Sequence, residues 1–237
     1  ILEWTTAHLA EKGCESARLD AEILLAHARK CERVDLYTRF TEVVTETQRT
    51  AMRDMVRRRA NLEPVAYLVG HREFFGLDFR VTPDVLIPRP DTETLVMETL
   101  DAARSAADPR ILEIGTGSGC VAVTCAVQLP TANVTTVDIS PRALIVAREN
   151  AEKHEVSKRV RFLEGDLFAP LDADERFDII VSNPPYVRDD EADTIQPEIN
   201  HLVTSLYRDL ITAVVSREFP RCARATETRM IEHTPDG

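Results

Sequence analysis

Arg110-Ile111-Leu112-Glu113-Ile114-Gly115-Thr116-Gly117-Ser118-Gly119 decides the fold. Its first half is a short apolar run that reads as a buried parallel strand. Three glycines at every second position then break the ladder, and a helix pattern follows from Cys120 to Leu129. A glycine loop means little unless a strand precedes it and a helix follows, and here both are expected. Glycines let a ligand approach the backbone closely, and the helix start behind them adds N–H donors.

Downstream the alternation continues. Asn133 to Asp138 reads as a strand and Pro141 to about His154 as a helix, with Ser140 as cap. Arg159 to Leu163 and Phe177 to Val181 read as two further strands. Strands alternating with helices predict an α/β fold with a doubly wound, mostly parallel sheet. Asp138 falls at a strand end about 20 residues beyond the loop, where a carboxylate accepts from both ribose hydroxyls. The G-x-G-x-G spacing differs from that of dinucleotide binders, so a nucleoside without pyrophosphate is expected, and S-adenosyl-L-methionine fits. Gly165-Asp166 adds an acceptor for an adenine amine, with Leu167 and Phe168 as apolar walls. Asn183-Pro184-Pro185-Tyr186 ends the fourth strand in a stiff extended turn, because proline cannot donate to the ladder and restricts its predecessor. An amide beside an aromatic ring suits holding a planar amino group.

Upstream, the first 62 residues read as helices, including one with Ser16 as N-cap that runs to about Cys31 and one from about Glu46 to Ala60. Glu73 to Val81 reads as two short strands turning at Gly76, and Asp91 or Thr92 as the cap of a helix through about Ala107. The expected division is a helical docking domain at 1–70, a hairpin linker at 71–90 and the catalytic domain at 91–237. Arg49, Arg53, Arg57, Arg58 and Arg59 form a basic run, read either as a solvated face or as a contact for an acidic partner or RNA.

Composition narrows the classes further. With 43% hydrophobic and 29% charged residues, the 237-residue chain is ordinary for a soluble globular protein. No run approaches the roughly 18 apolar residues of a membrane span. A formal charge of −11 argues against broad phosphate tracking. Five cysteines without a CxxC read as reduced thiols of a cytoplasmic protein, and no metal site is expected. The chain starts at Ile1 without an initiator Met, so a few leading residues are expected to precede it.

Taken together, the chain resembles the HemK/PrmC protein-(glutamine N5) methyltransferases, within the class I S-adenosylmethionine-dependent methyltransferases. The resemblance rests on Ser16-Ala17-Arg18-Leu19-Asp20-Ala21-Glu22, Pro64 to Gly70, Leu86-Ile87-Pro88-Arg89-Pro90-Asp91-Thr92-Glu93, the glycine loop, Asp138 and Asn183 to Tyr186. It implies a Rossmann-like sheet preceded by a small all-helical domain and a β-hairpin connector. The implied activity is methylation of the glutamine in the Gly-Gly-Gln loop of class I peptide-chain release factors, a step in translation termination, with S-adenosyl-L-homocysteine as by-product. Implied cofactor contacts are Gly115, Thr116, Gly117, Ser118, Gly119, Asp138, Asp166, Leu167 and Asn183. The implied substrate residues are Asn183, Pro184, Pro185 and Tyr186, with Asn183, Pro184 and Tyr186 catalytic. The alternative is an amino-methyltransferase acting on adenine or guanine in nucleic acid. Beyond Asp190 the chain departs from the family pattern, with a helix expected at 206–211 and a late strand at 226–232.

Overall fold

The structure, a computed structural model, describes residues 1–39 and 41–183. The expectations for Pro184, Pro185, Tyr186 and everything beyond them lie outside the described residues. Among the described residues the chain divides into two compact units, residues 1–72 with 80–87, and residues 73–79 with 88–183. The hairpin β1 (His71–Phe74) and β2 (Leu77–Arg80) is shared between them.

The first unit is helical: α1 (Leu2–Glu11), α2 (Ala17–Arg29), α3 (Asp35–Thr38), α4 (Glu46–Ala60) and α5 (Val65–Val69). Leu9, Leu24, Leu25, Leu36, Met52 and Val56 form its core. Thr45 and Gln48 close a reciprocal capping box at the start of α4, satisfying two otherwise orphan N–H donors. Ser16 takes the N-cap place of α2, as expected, but makes no side-chain cap bond. Most of the basic run is spoken for inside the unit. Arg59 pairs with the buried Asp20 at 2.7 Å, and Arg49, Arg57 and Arg58 pair with Glu46, Asp54 and Glu63. The five arginines therefore do not form one free basic stripe.

In the second unit, α6 (Asp91–Ala103), α7 (Cys120–Gln128) and α8 (Pro141–Lys153) accompany four parallel strands. These are β3 (Arg110–Ile114), β4 (Asn133–Asp138), β5 (Val160–Glu164) and β6 (Ile179–Ser182), in the order β5-β4-β3-β6. Strand ends fall within one or two residues of the sequence expectation. The cap of α6 does not: Pro90 occupies the N-cap position and neither Asp91 nor Thr92 caps. Ser140 does cap α8, accepting from Ala143 N at 3.2 Å. Phe74, Phe79, Val96, Ile111, Val123, Val134, Ala147 and Phe162 belong to one buried cluster. Among the described residues no helix is long and apolar enough to cross a membrane.

One buried acid runs against the apolar pattern. Glu113, the last residue but one of β3, is 3% exposed and accepts from Thr136 Oγ1 at 2.8 Å. Burial pushes its carboxyl up to about 8, with Asp138 adding to the effect. An unfolded chain loses this proton near pH 4.5, whereas the folded protein keeps it until about 8. The associated stability is fully present below the lower value and is lost as pH rises through the upper one. Glu113→Gln should match the wild type in urea unfolding at pH 5 and exceed it at pH 9 by on the order of a kcal/mol or more; equal stabilities at pH 9 would contradict a neutral buried acid.

Candidate active site

The chain winds outward through β4 and β5, then returns to place β6 on the other side of β3. Open α/β sheets bind ligands at such a reversal, beyond the carboxyl ends of the strands. β3 and β6 pair in parallel with Ile114 opposite Ser182, and Ser182 Oγ donates to Ile114 O at 2.8 Å. The next residue on each strand is therefore Gly115 on one side and Asn183 on the other. Two motifs far apart in sequence become neighbours by register alone.

The loop after β3 is held from behind. Gly115 N and Thr116 N both donate to Val137 O, at 2.8 and 3.2 Å. Thr116 Oγ1 lies 2.7 Å from Thr136 Oγ1, continuing the buried chain to Glu113. The hydroxyl of Thr116 is thus turned into the protein and that of Ser118 is buried as well, leaving the backbone as what these residues can offer a ligand. Gly115 and Gly117 have positive φ of 86° and 52°, and a β-carbon on either would meet nothing within 4 Å. That open face is the cradle. Gly119 has another role: a β-carbon there would lie 3.0 Å from Ala147 Cβ, so it lets α7 approach α8.

Asp138 sits at the end of β4, half-buried. Its Oδ2 accepts from Gly117 N and its Oδ1 from Ser140 N, both at 2.9 Å. The carboxylate thus clamps the glycine loop, and each oxygen keeps further acceptor capacity for ribose hydroxyls. The loop after β5 is tied in by Gly165 N, which donates to Asp138 O at 3.1 Å. There Asp166 is exposed, while Leu167, with φ of 47°, packs on the cluster of Leu112, Ile114, Val137 and Phe177. Asn183 is half-buried and donates from Nδ2 to Thr92 Oγ1 at 2.8 Å. The role of Thr92 escaped the sequence analysis; its only signal was membership of the Pro88–Glu93 stretch. The thiols of Cys120 and Cys125 are pushed up to about 12 by burial, which makes them unreactive packing residues. Among the described residues, no cluster of His, Cys, Asp or Glu is placed to hold a metal ion.

The residues fit a nucleoside donor. An open glycine face, a strand-end carboxylate and an apolar wall at Leu167 surround the carboxyl ends of β3, β4 and β5.

Comparison with known proteins agrees with that geometry. A model described as the PrmC N-terminal domain matches residues 1–70, and one described as the methyltransferase small domain matches residues 90–225. A release factor glutamine methyltransferase from Rhodopirellula baltica is 51% identical over 82% of this chain and 67% of its own length. One from Geobacter sulfurreducens is 50% identical over 84% of this chain and 68% of its own. A solved methyltransferase from Geobacter sulfurreducens, in complex with S-adenosyl-L-homocysteine, is 26% identical over 40% of this chain and 38% of its own, with a TM-score of 0.34.

Sheet, cradle and the family and sequence matches define a class I methyltransferase whose methyl donor is S-adenosyl-L-methionine. Within that class the chain belongs to the release factor glutamine methyltransferase family.

Asp138→Asn should test the clamp. An amide has one oxygen for two backbone donors, so one N–H loses its partner. Calorimetry should show affinity for S-adenosyl-L-methionine lowered roughly 10- to 100-fold, the worth of one charged hydrogen bond; unchanged affinity would remove Asp138 from the site.

Proposed function

We propose that this chain transfers a methyl group from S-adenosyl-L-methionine to the side-chain nitrogen (N5) of the glutamine in the Gly-Gly-Gln loop of class I peptide-chain release factors, with Asn183 holding that side chain. The observation that carries the residue assignment is the β3–β6 register, which sets Asn183 directly beside the cofactor cradle. The family membership supports the substrate, and the cytoplasm is then the place of action.

The chemical difficulty is the nucleophile. A carboxamide nitrogen is weakly nucleophilic because its lone pair is delocalised into the carbonyl. When bound, the cofactor would supply an electrophilic sulfonium methyl group. What the protein contributes is position and polarity. Asn183 Oδ1 accepts one N–H of the substrate amide, and the Pro184 carbonyl accepts the other, which turns the lone pair toward the cradle and favours positive charge developing on nitrogen. Tyr186 packs on the planar amide. The proton leaves after transfer, once nitrogen has become acidic, so no dedicated base is required. Asp138 and the backbone at Gly115 and Gly117 hold the nucleoside, and Asp166 and Leu167 receive its base. The helical unit docks the body of the release factor, since a loop on a protein must be presented by a protein-sized contact.

The test is to supply labelled S-adenosyl-L-methionine with purified release factor, with DNA and with RNA, and to locate the label by mass spectrometry. Label on the loop glutamine is expected; label on adenine or guanine instead would overturn the assignment. Asn183→Ala should lower kcat at least about 100-fold while weakening cofactor binding much less.

A further inference from the structure

The stretch Pro88 to Glu93 sits far from the glycine loop in sequence, yet its end reaches the site. Pro88 and Pro90 stiffen the approach to α6, and Asp91, Thr92 and Glu93 form the first turn. Thr92 is 6% exposed. A buried hydroxyl needs a partner, and this one accepts from Asn183 Nδ2 at 2.8 Å. The adjacent Glu93 accepts from Phe75 N at 3.1 Å, which fixes the same turn from the other side.

Asn183 is half-buried at the end of β6. Its backbone follows β6, whose last residue is pinned to Ile114 O. The terminal torsion of an asparagine is broad and nearly two-fold, so without a partner the amide could present either edge. The two edges are chemically opposite, one an acceptor and the other a pair of donors. Only the acceptor edge complements an incoming NH₂ group.

We infer that Thr92 is a positioning residue for methyl transfer: by accepting from Asn183 Nδ2, its hydroxyl commits that end of the amide and leaves Oδ1 to face the substrate nitrogen. This rests on the reading that Asn183 holds the glutamine amide. Thr92 touches neither substrate nor cofactor and acts through Asn183 alone. Its place in the first turn of a helix braced by Glu93 makes the hydroxyl a fixed reference point.

The experiment compares Thr92→Val, Thr92→Ser, Asn183→Ala and the double variant Thr92→Val/Asn183→Ala in the full chain, with purified release factor as substrate. Valine keeps the shape and removes the hydroxyl, while serine keeps the hydroxyl. Thr92→Val should lower kcat roughly 10- to 100-fold, with KM for release factor and Kd for S-adenosyl-L-methionine changed less than about twofold and Tm near the wild type. Thr92→Ser should recover most of the rate. In the Asn183→Ala background, Thr92→Val should cost nothing further in single-turnover measurements. Wild-type turnover in Thr92→Val, a loss that follows Tm and is not recovered by serine, or an equal loss in both backgrounds would each overturn the inference. A wild type that fails to methylate release factor, or an Asn183→Ala variant of full activity, would instead overturn the reading beneath it.

Discussion

The parallel pairing of β3 with β6 is the constraint on which the site depends. Ladder register is quantised, because a slip of one residue would send every side chain to the other face. With Ile114 opposite Ser182, cradle and amide emerge side by side from adjacent strands. The apolar faces of Ile111, Leu112, Ile114 and Val181 fix that register by burial. Catalytic geometry here is inherited from core packing.

Behind the ladder, polar groups are arranged so that the loop needs no ligand to take its shape. Val137 O, Asp138 and the hydroxyls of Thr136 and Thr116 hold it from the protein side. Glu113 closes the series as an uncharged acid, sparing the neighbourhood of Asp138 a second negative charge. Such preorganisation shifts the ordering cost of the loop from binding to folding.

Much of the second unit was legible because its signals are local. A β-branched run with glycines at its end, or a serine one residue before a proline, carries its own physical reason. Ser16 was legible as the N-cap of α2, but a suitable residue type is not a suitable backbone: it makes no side-chain cap bond, and at α6 Pro90, not Asp91 or Thr92, takes the N-cap place with helical dihedrals. The arginines of α4 were open to two readings. A charge run shows which side chains are basic, but not that Asp20, Glu46, Asp54 and Glu63 would meet them. The bond between Thr92 and Asn183 was beyond sequence reasoning altogether, since it joins positions 91 residues apart through the packing of a helix start on a sheet end.

The contact between Gly119 and Ala147 carries a consequence for how such a chain can vary. Ala147 lies on α8, away from the cradle, yet a larger residue there would press on the start of α7 and, through it, on the turn that follows β3. Volume at one inconspicuous helical position is thereby tied to the site. A lineage that drifts freely at the exposed Ile145 has almost no latitude two residues further on.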